Sequence, residues 1–184
     1  LIAHPETAVL GDTGHGDVIR DAGGRIISVL PAQERWSTVE LLDIERHALA
    51  TAERLLGAER GVCDDEAVQA ALRNAPTLAD EQVRAVVQMT QSGNGVDVLT
   101  APAGSGKTFT FAAARDAWER AGFHVIGAAH SGVAADELAM AGGIPATTIA
   151  RLLIAIDNNE PGRPDQRTVL VIDEGGTAGT RDLA

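Results

Sequence analysis

Residues 101–108 read A-P-A-G-S-G-K-T, a glycine-rich stretch closed by a lysine and a hydroxyl. Where such a stretch opens a helix, successive backbone N–H groups point into one concavity and the helix dipole favours negative charge there. It is then a cradle for phosphate. The pattern that does this is G-x-x-x-x-G-K-[ST], and Ala101 stands here in place of its first glycine. That position lies at a strand exit, where a negative φ suits alanine, so the substitution need not break the loop. Ala103, Gly104, Ser105 and Gly106 would wrap the phosphates, Lys107 would reach the β and γ oxygens, and the Thr108 hydroxyl would hold Mg²⁺. The bland alternative is a glycine turn between a strand and a helix.

A phosphate loop needs a carboxylate at the tip of a second strand. V-L-V-I-D-E at 169–174 has that form, an apolar run ending in two acids. It delivers Asp173 and Glu174 to the carboxyl edge of a sheet, where open α/β folds bind ligands. Asp173 would bind Mg²⁺ through water, and Glu174 would orient and deprotonate the water that attacks a γ phosphate. Taken alone, the pair also reads as an ordinary acidic end to a strand.

The elements that must position these groups are legible in the hydrophobic periods. Residues 96–100 (VDVLT), 124–129 (HVIGAA) and 168–173 (TVLVID) read as strands. Between them, 107–120, 132–141 and 147–156 read as helices. Strands that are nearly all apolar and alternate with helices predict a parallel sheet covered on both faces, an α/β fold of the P-loop type. Upstream, 18–30 alternate around D-A-G-G as a hairpin, after a glycine-rich loop, G-D-T-G-H-G-D. Three helices follow. Ser37 with Glu40 and Thr77 with Asp80 have capping-box spacing for the first and third, and the second runs from about Asp64 to Arg73 before Pro76. We therefore expect the end of a β-containing segment over 1–32, a small helical subdomain over 33–75 and a partial ATP-binding domain over 76–184.

Composition narrows the partners. A net charge of −11 argues against binding nucleic acid through a generally basic surface, so any such contact is local. A single cysteine, Cys63, cannot form an internal disulfide, and no Cys/His spacing suits zinc, which together favour a reducing cytoplasm. No apolar run is long enough to span a bilayer, and the start has no signal-peptide pattern. The chain begins without methionine and reads as a piece of something longer.

Several motifs in order carry a resemblance: L-A-D-E-Q at 78–82, the phosphate loop, H-V-I-G-A-A-H-S-G-V-A-A-D-E-L from 124, T-I-A-R-L-L at 148–153, and V-L-V-I-D-E. Together they resemble the first RecA-like motor domain of superfamily 1 helicases. The likeness is strongest to the RecD-like helicase part of TraI/TraA-type conjugative relaxases, whose pre-motor helical segment R-W-S-T-V-E-L-L-D-I-E also resembles. It covers roughly residues 35–184. The resemblance implies ATP and Mg²⁺ as cofactors and single-stranded DNA as the partner of the complete protein. It assigns adenine recognition to Gln82, whose amide can pair with a ring nitrogen and an exocyclic amine. It also puts His130 and Ser131 against a single-stranded backbone, although Ser131 reads equally well as a helix cap.

Trp36 and Trp118, expected on helices, read as core packing more than as base-stacking platforms, and so do Phe109, Phe111 and Phe123. Two departures stand out. The family continues its carboxylate motif as D-E-A-G, whereas Gly175 follows Glu174 here. The strand lying between the loop strand and the carboxylate strand comes later in the family's chain, which predicts a sheet with a gap or exposed edges. The second motor domain and its arginine are likewise not in this sequence, so the isolated chain is expected to be nearly inactive. The competing class is a degenerate motor module that binds single strands or proteins and hydrolyses nothing.

Overall fold

The computed structural model describes residues 7–10, 19–20, 26–27, 35–102 and 104–173. Two short antiparallel pairs open the chain. β1 (Thr7–Leu10) pairs with β4 (Arg35–Thr38), and β2 (Ile19–Arg20) pairs with β3 (Ile26–Ile27). The expected hairpin is therefore present in its arms, while its D-A-G-G turn, residues 28–30 and the glycine-rich loop before it lie outside the described residues. Trp36 sits on β4 and not on a helix.

Helix α1 (Val39–Arg54) starts one residue later than the capping box suggests. Its N-cap is Thr38, whose Oγ1 accepts the Leu41 N–H at 3.1 Å, because Ser37 is still paired in β4. No residue of α1 is buried. Helix α2 (Asp65–Asn74) is capped by Asp64, which accepts the Ala67 N–H at 2.7 Å. Helix α3 (Asp80–Gln91) also departs from its expected cap. Ala79, not Thr77, takes the N-cap position, and the Gln82 side chain reaches back to accept the Ala79 N–H at 2.9 Å.

Then the strand–helix alternation begins, with one exception. Residues 96–100 form no ladder with any described strand. A strand exists through its neighbour, and the described residues supply none beside this segment, so Val96 and Val98 are left 46% and 86% exposed. The expected gap in the sheet falls here. Helix α4 (Lys107–Arg120), β5 (His124–Ala129), α5 (Gly132–Gly142), β6 (Ala146–Thr148), α6 (Ile149–Asp157) and β7 (Thr168–Asp173) follow. The three strands form one parallel sheet in the order β6-β5-β7, with His124 to Ala129 in register with Thr168 to Asp173. β6 was not anticipated. Three residues carry too little period to be told from the helix start they precede, and Thr148 serves as that helix's N-cap.

Alternation along β5 and β7 divides the core between the two faces of the sheet. Val125, Val169 and Val171 face α4 and α5, together with Leu138, Ile144, Trp118 and the small side chains Ala113, Ala114 and Ala117. Ile126, Ala128 and Ile172 face α6, packing on Ile149 and Leu152. Helices thus cover both faces, as expected. The first cluster extends through Cys63, Ala67, Val68 and Ala71 of the α2 region and Val86 of α3, so α2 and α3 share one core with the sheet. Burying a valine such as Val68 or Val86 stabilises by about 1.5–3 kcal/mol relative to leaving it exposed, and an alanine by less. Trp118 is a core residue that also donates Nε1–H to the Gly61 carbonyl at 3.0 Å, fastening the segment before α2 to α4. Phe111 and Phe123 pack against the same core, whereas Phe109 is 42% exposed and does not.

Candidate nucleotide site

The chain turns from residues 96–100 into α4 through two left-handed glycines, Gly104 at φ +74° and Gly106 at φ +80°. An L side chain rarely adopts such backbone. Gly106 occupies the N-cap of α4, and no side chain caps this helix. Its first-turn N–H groups therefore face the loop, an arrangement suited to an anion. Among the described residues nothing lies within 4 Å of the space a Cβ would take at Gly104, so none of them closes the loop on that side. Ser105 Oγ is buried with no hydrogen-bond partner among the described residues, a polar atom left over for a ligand. These residues fit a phosphate chain.

Lys107 is half-buried on the first turn of α4, and its Nζ donates to the Ala101 carbonyl at 3.4 Å. Residue 101 thus contributes through its backbone oxygen, which alanine supplies as well as glycine. Thr108 follows on the same turn, and its methyl lies beside Gly142 of α5. Ala103 lies outside the described residues.

Gln82 is brought to the loop from α3. Its Nε2 donates to the Ser105 carbonyl at 2.9 Å while its Oε1 accepts from Ala79. Beside it is a cavity of about 160 Å³ walled by Ala85, Leu99, Thr100, Lys107 and Thr110. A larger cavity of about 230 Å³ lies at the other end of the sheet, between Gly61, Phe123 and Thr168, and touches none of the loop residues. The smaller one is the relevant cleft, because it adjoins the glycine loop and the lysine.

Asp173 is the last residue of β7, paired in register with Ala129, the last of β5. The carboxylate is therefore at the carboxyl edge of the sheet, next to the point where His130 and Ser131 leave β5. Glu174 and Gly175 lie outside the described residues. His130 is exposed, and Ser131 caps α5 by accepting the Ala134 N–H at 3.2 Å. That hydroxyl has the helix-cap role the sequence left open, and its oxygen keeps further hydrogen-bonding capacity.

One tie had no signal in the sequence. Arg115 on α4 donates Nη1 to the Gly142 carbonyl at 3.2 Å and to the Gly143 carbonyl at 2.5 Å. It links the loop helix to the end of α5 across 27 and 28 residues of chain, beyond the reach of any local pattern. Among the described residues no group of His, Cys, Asp and Glu could hold a metal by itself, and no helix is long and apolar enough to cross a membrane.

Comparison with known proteins agrees with this geometry. A family model described as an AAA domain matches residues 77–184, more than half of the chain. A conjugal transfer protein TraA of Rhizobium radiobacter is 32% identical over 157 residues, covering 84% of this chain and 14% of that protein. A probable conjugal transfer protein TraA of Sinorhizobium fredii is 29% identical over 153 residues, and a TraA of Agrobacterium fabrum is 30% identical over 162. The chain spans 13–14% of the length of these relatives. The match begins at the turn before α3 and takes in Gln82, the glycine loop and Asp173, the same residues that the fold gathers around the cleft and the sheet edge. The chain belongs to the AAA-domain family, as a RecA-like helicase domain near the TraA/TraI relaxases.

Proposed function

We propose that this chain is the ATP-binding part of an ATP-dependent DNA helicase or translocase, the motor portion of a conjugative relaxase acting in the cytoplasm. The observation that carries the reading is the start of α4 behind two left-handed glycines, with no side-chain cap among the described residues, and with Lys107 and a buried Ser105 hydroxyl that none of those residues hydrogen-bonds at the same loop. In this reading the α4 N–H groups and Lys107 bind the phosphates. Thr108 and Asp173 hold Mg²⁺, which supplies neutralisation of charge at the transferred phosphoryl group. Glu174 orients and deprotonates the attacking water. Gln82 reads the adenine edge at the cleft, and His130 and Ser131 touch the single-stranded backbone. The arrangement into a terminal β segment (1–32), a helical subdomain (33–75) and the motor part (76–184) belongs to the same proposal.

The test is steady-state ATP hydrolysis by the complete protein, with and without single-stranded DNA, beside its Lys107→Ala variant. Hydrolysis that DNA stimulates and the substitution reduces to background supports the motor. Equal rates for the two proteins would leave a non-catalytic binding module as the better reading. The 184-residue chain alone should bind nucleotide weakly and turn it over very slowly.

A further inference from the structure

Gln82 does more in this structure than face a cleft. Its amide holds two elements together, the start of α3 through Oε1 and the phosphate loop through Nε2, both at 2.9 Å. The loop partner is the Ser105 carbonyl, one residue before the helix N-cap. The approach is close enough that a Cβ at Gly106 would stand 2.6 Å from Gln82 Nε2. A side chain at Gly106 would thus push the Gln82 amide off Ser105, besides having to adopt a φ of +80°.

A primary amide has two N–H donors and an oxygen with two lone pairs. Gln82 uses one of each internally, which leaves one N–H and one lone pair. An adenine edge presents one ring nitrogen and one exocyclic amine, and needs just those two. The side chain therefore has the capacity to hold the loop and a base at the same time, without exchanging one for the other. The orientation of the amide follows from its partners: the Ala79 N–H can only donate and the Ser105 carbonyl can only accept.

We infer that Gln82 is a positioning residue for the phosphate loop, holding the Ser105 carbonyl so that the loop is shaped for phosphate before any base is read. The inference rests on the nucleotide-site reading and deepens it. A residue that only reads the base contributes nothing to the binding of a ligand that has no base. A residue that shapes the loop contributes to both.

Inorganic tripolyphosphate with Mg²⁺ is the probe that separates these roles. Its affinity and that of ATP are measured by calorimetry on the 184-residue chain, on Gln82→Met and on Gln82→Glu, with a urea midpoint for each to establish that it is folded. Met keeps the length and removes both hydrogen bonds. Glu keeps an acceptor for the Ala79 N–H, preserving the α3 start, but cannot donate to Ser105. Gln82→Met should bind tripolyphosphate about fivefold more weakly, the worth of one neutral hydrogen bond, with a larger loss for ATP, and Gln82→Glu should lose at least as much. Unchanged tripolyphosphate binding in both variants, with only ATP weakened or with neither ligand affected, overturns the inference and leaves the nucleotide site standing. Failure of the unsubstituted chain to bind either ligand overturns the nucleotide site and the inference together.

Discussion

Replacing Gly106 by alanine tests how much of the loop's shape is held by conformation and how much by contact. The new methyl group must sit at φ +80°, and it must displace Gln82 Nε2, which lies 2.6 Å from its position. The obstructing atom is the end of a flexible side chain, so the clash itself is relieved by rotation. The cost is then the hydrogen bond that rotation breaks. Gly106→Ala should lower unfolding stability by about 2–3 kcal/mol, from about 1–2 kcal/mol for left-handed backbone on an L residue and about 1 kcal/mol for the bond to Ser105. Gly104 provides the control. Its φ is +74° but no described residue lies within 4 Å of its Cβ position, so Gly104→Ala carries the backbone cost alone, about 1–2 kcal/mol. Both are measured by urea unfolding without nucleotide, and each is repeated in a Gln82→Ala background. The excess cost at Gly106 should vanish there, because the bond it breaks is already gone. An equal cost at the two glycines, or an excess that survives in the Gln82→Ala background, would show that the bond from Gln82 to Ser105 does not hold the loop.

Three further outcomes are expected. Asp165 accepts hydrogen bonds from the Thr168 hydroxyl at 2.8 Å and the Arg167 N–H at 2.9 Å, led by the hydroxyl, and these hold its pKa below the ordinary 3.8. A depressed carboxyl stabilises the fold at pH values above 3.8 and loses that contribution as pH falls through and below it; Asp165→Asn should flatten the acid limb of urea midpoints recorded from pH 2 upward, and an unchanged limb would count against the assignment. Cys63 is buried, and burial, with a smaller push from the Asp64 charge, raises its pKa to about 11; the native thiol should resist a disulfide reagent at pH 8 and react fully in urea, whereas rapid native labelling would contradict its burial. Trp118→Phe leaves the Gly61 carbonyl without its indole donor and should cost about 1–3 kcal/mol in urea unfolding, and a loss under about 0.5 kcal/mol, the range of ordinary surface changes, would show that the tie to the α2 segment carries no weight.

Legibility followed the range of the interactions. Helix α4 and strands β5 and β7 lie at the residues their periods mark, 107–120, 124–129 and 168–173, because glycine stops and apolar runs are local signals. Caps slipped by one or two residues. Thr38 and Ala79 took the places expected of Ser37 and Thr77, since which residue stays extended depends on the strand or side chain beside it. Residues 96–100 depart from the expected strand for the opposite reason: their alternation is that of a strand, but a ladder needs a partner that the described residues do not provide. Within the site, Gln82, Lys107, Thr108 and Asp173 fall at the loop, its cleft or the sheet edge, whereas Arg115 was invisible because its partners are a distant pair of carbonyls.

Helix α4 explains why the loop's geometry does not stay local. At its first turn it presents Lys107 and Thr108, two turns later Arg115, and one turn after that Trp118. Arg115 is bonded to the carbonyls that end α5, and the Thr108 methyl lies against Gly142 of the same helix. The start of α5 is capped by Ser131, directly after the β5 edge that carries His130 and faces Asp173 across the pair. The glycine loop and the carboxyl edge of the sheet are therefore joined through two helices tied by the Arg115 guanidinium and the Thr108 methyl. A close-packed interior passes displacement on because it has little free volume to absorb it. Breaking the Arg115 bonds would strip the buried Gly142 carbonyl of its donor, whereas the exposed Gly143 carbonyl is open to water and the guanidinium keeps Glu119 at 3.5 Å, so the tie between α4 and α5 rests chiefly on the Gly142 bond.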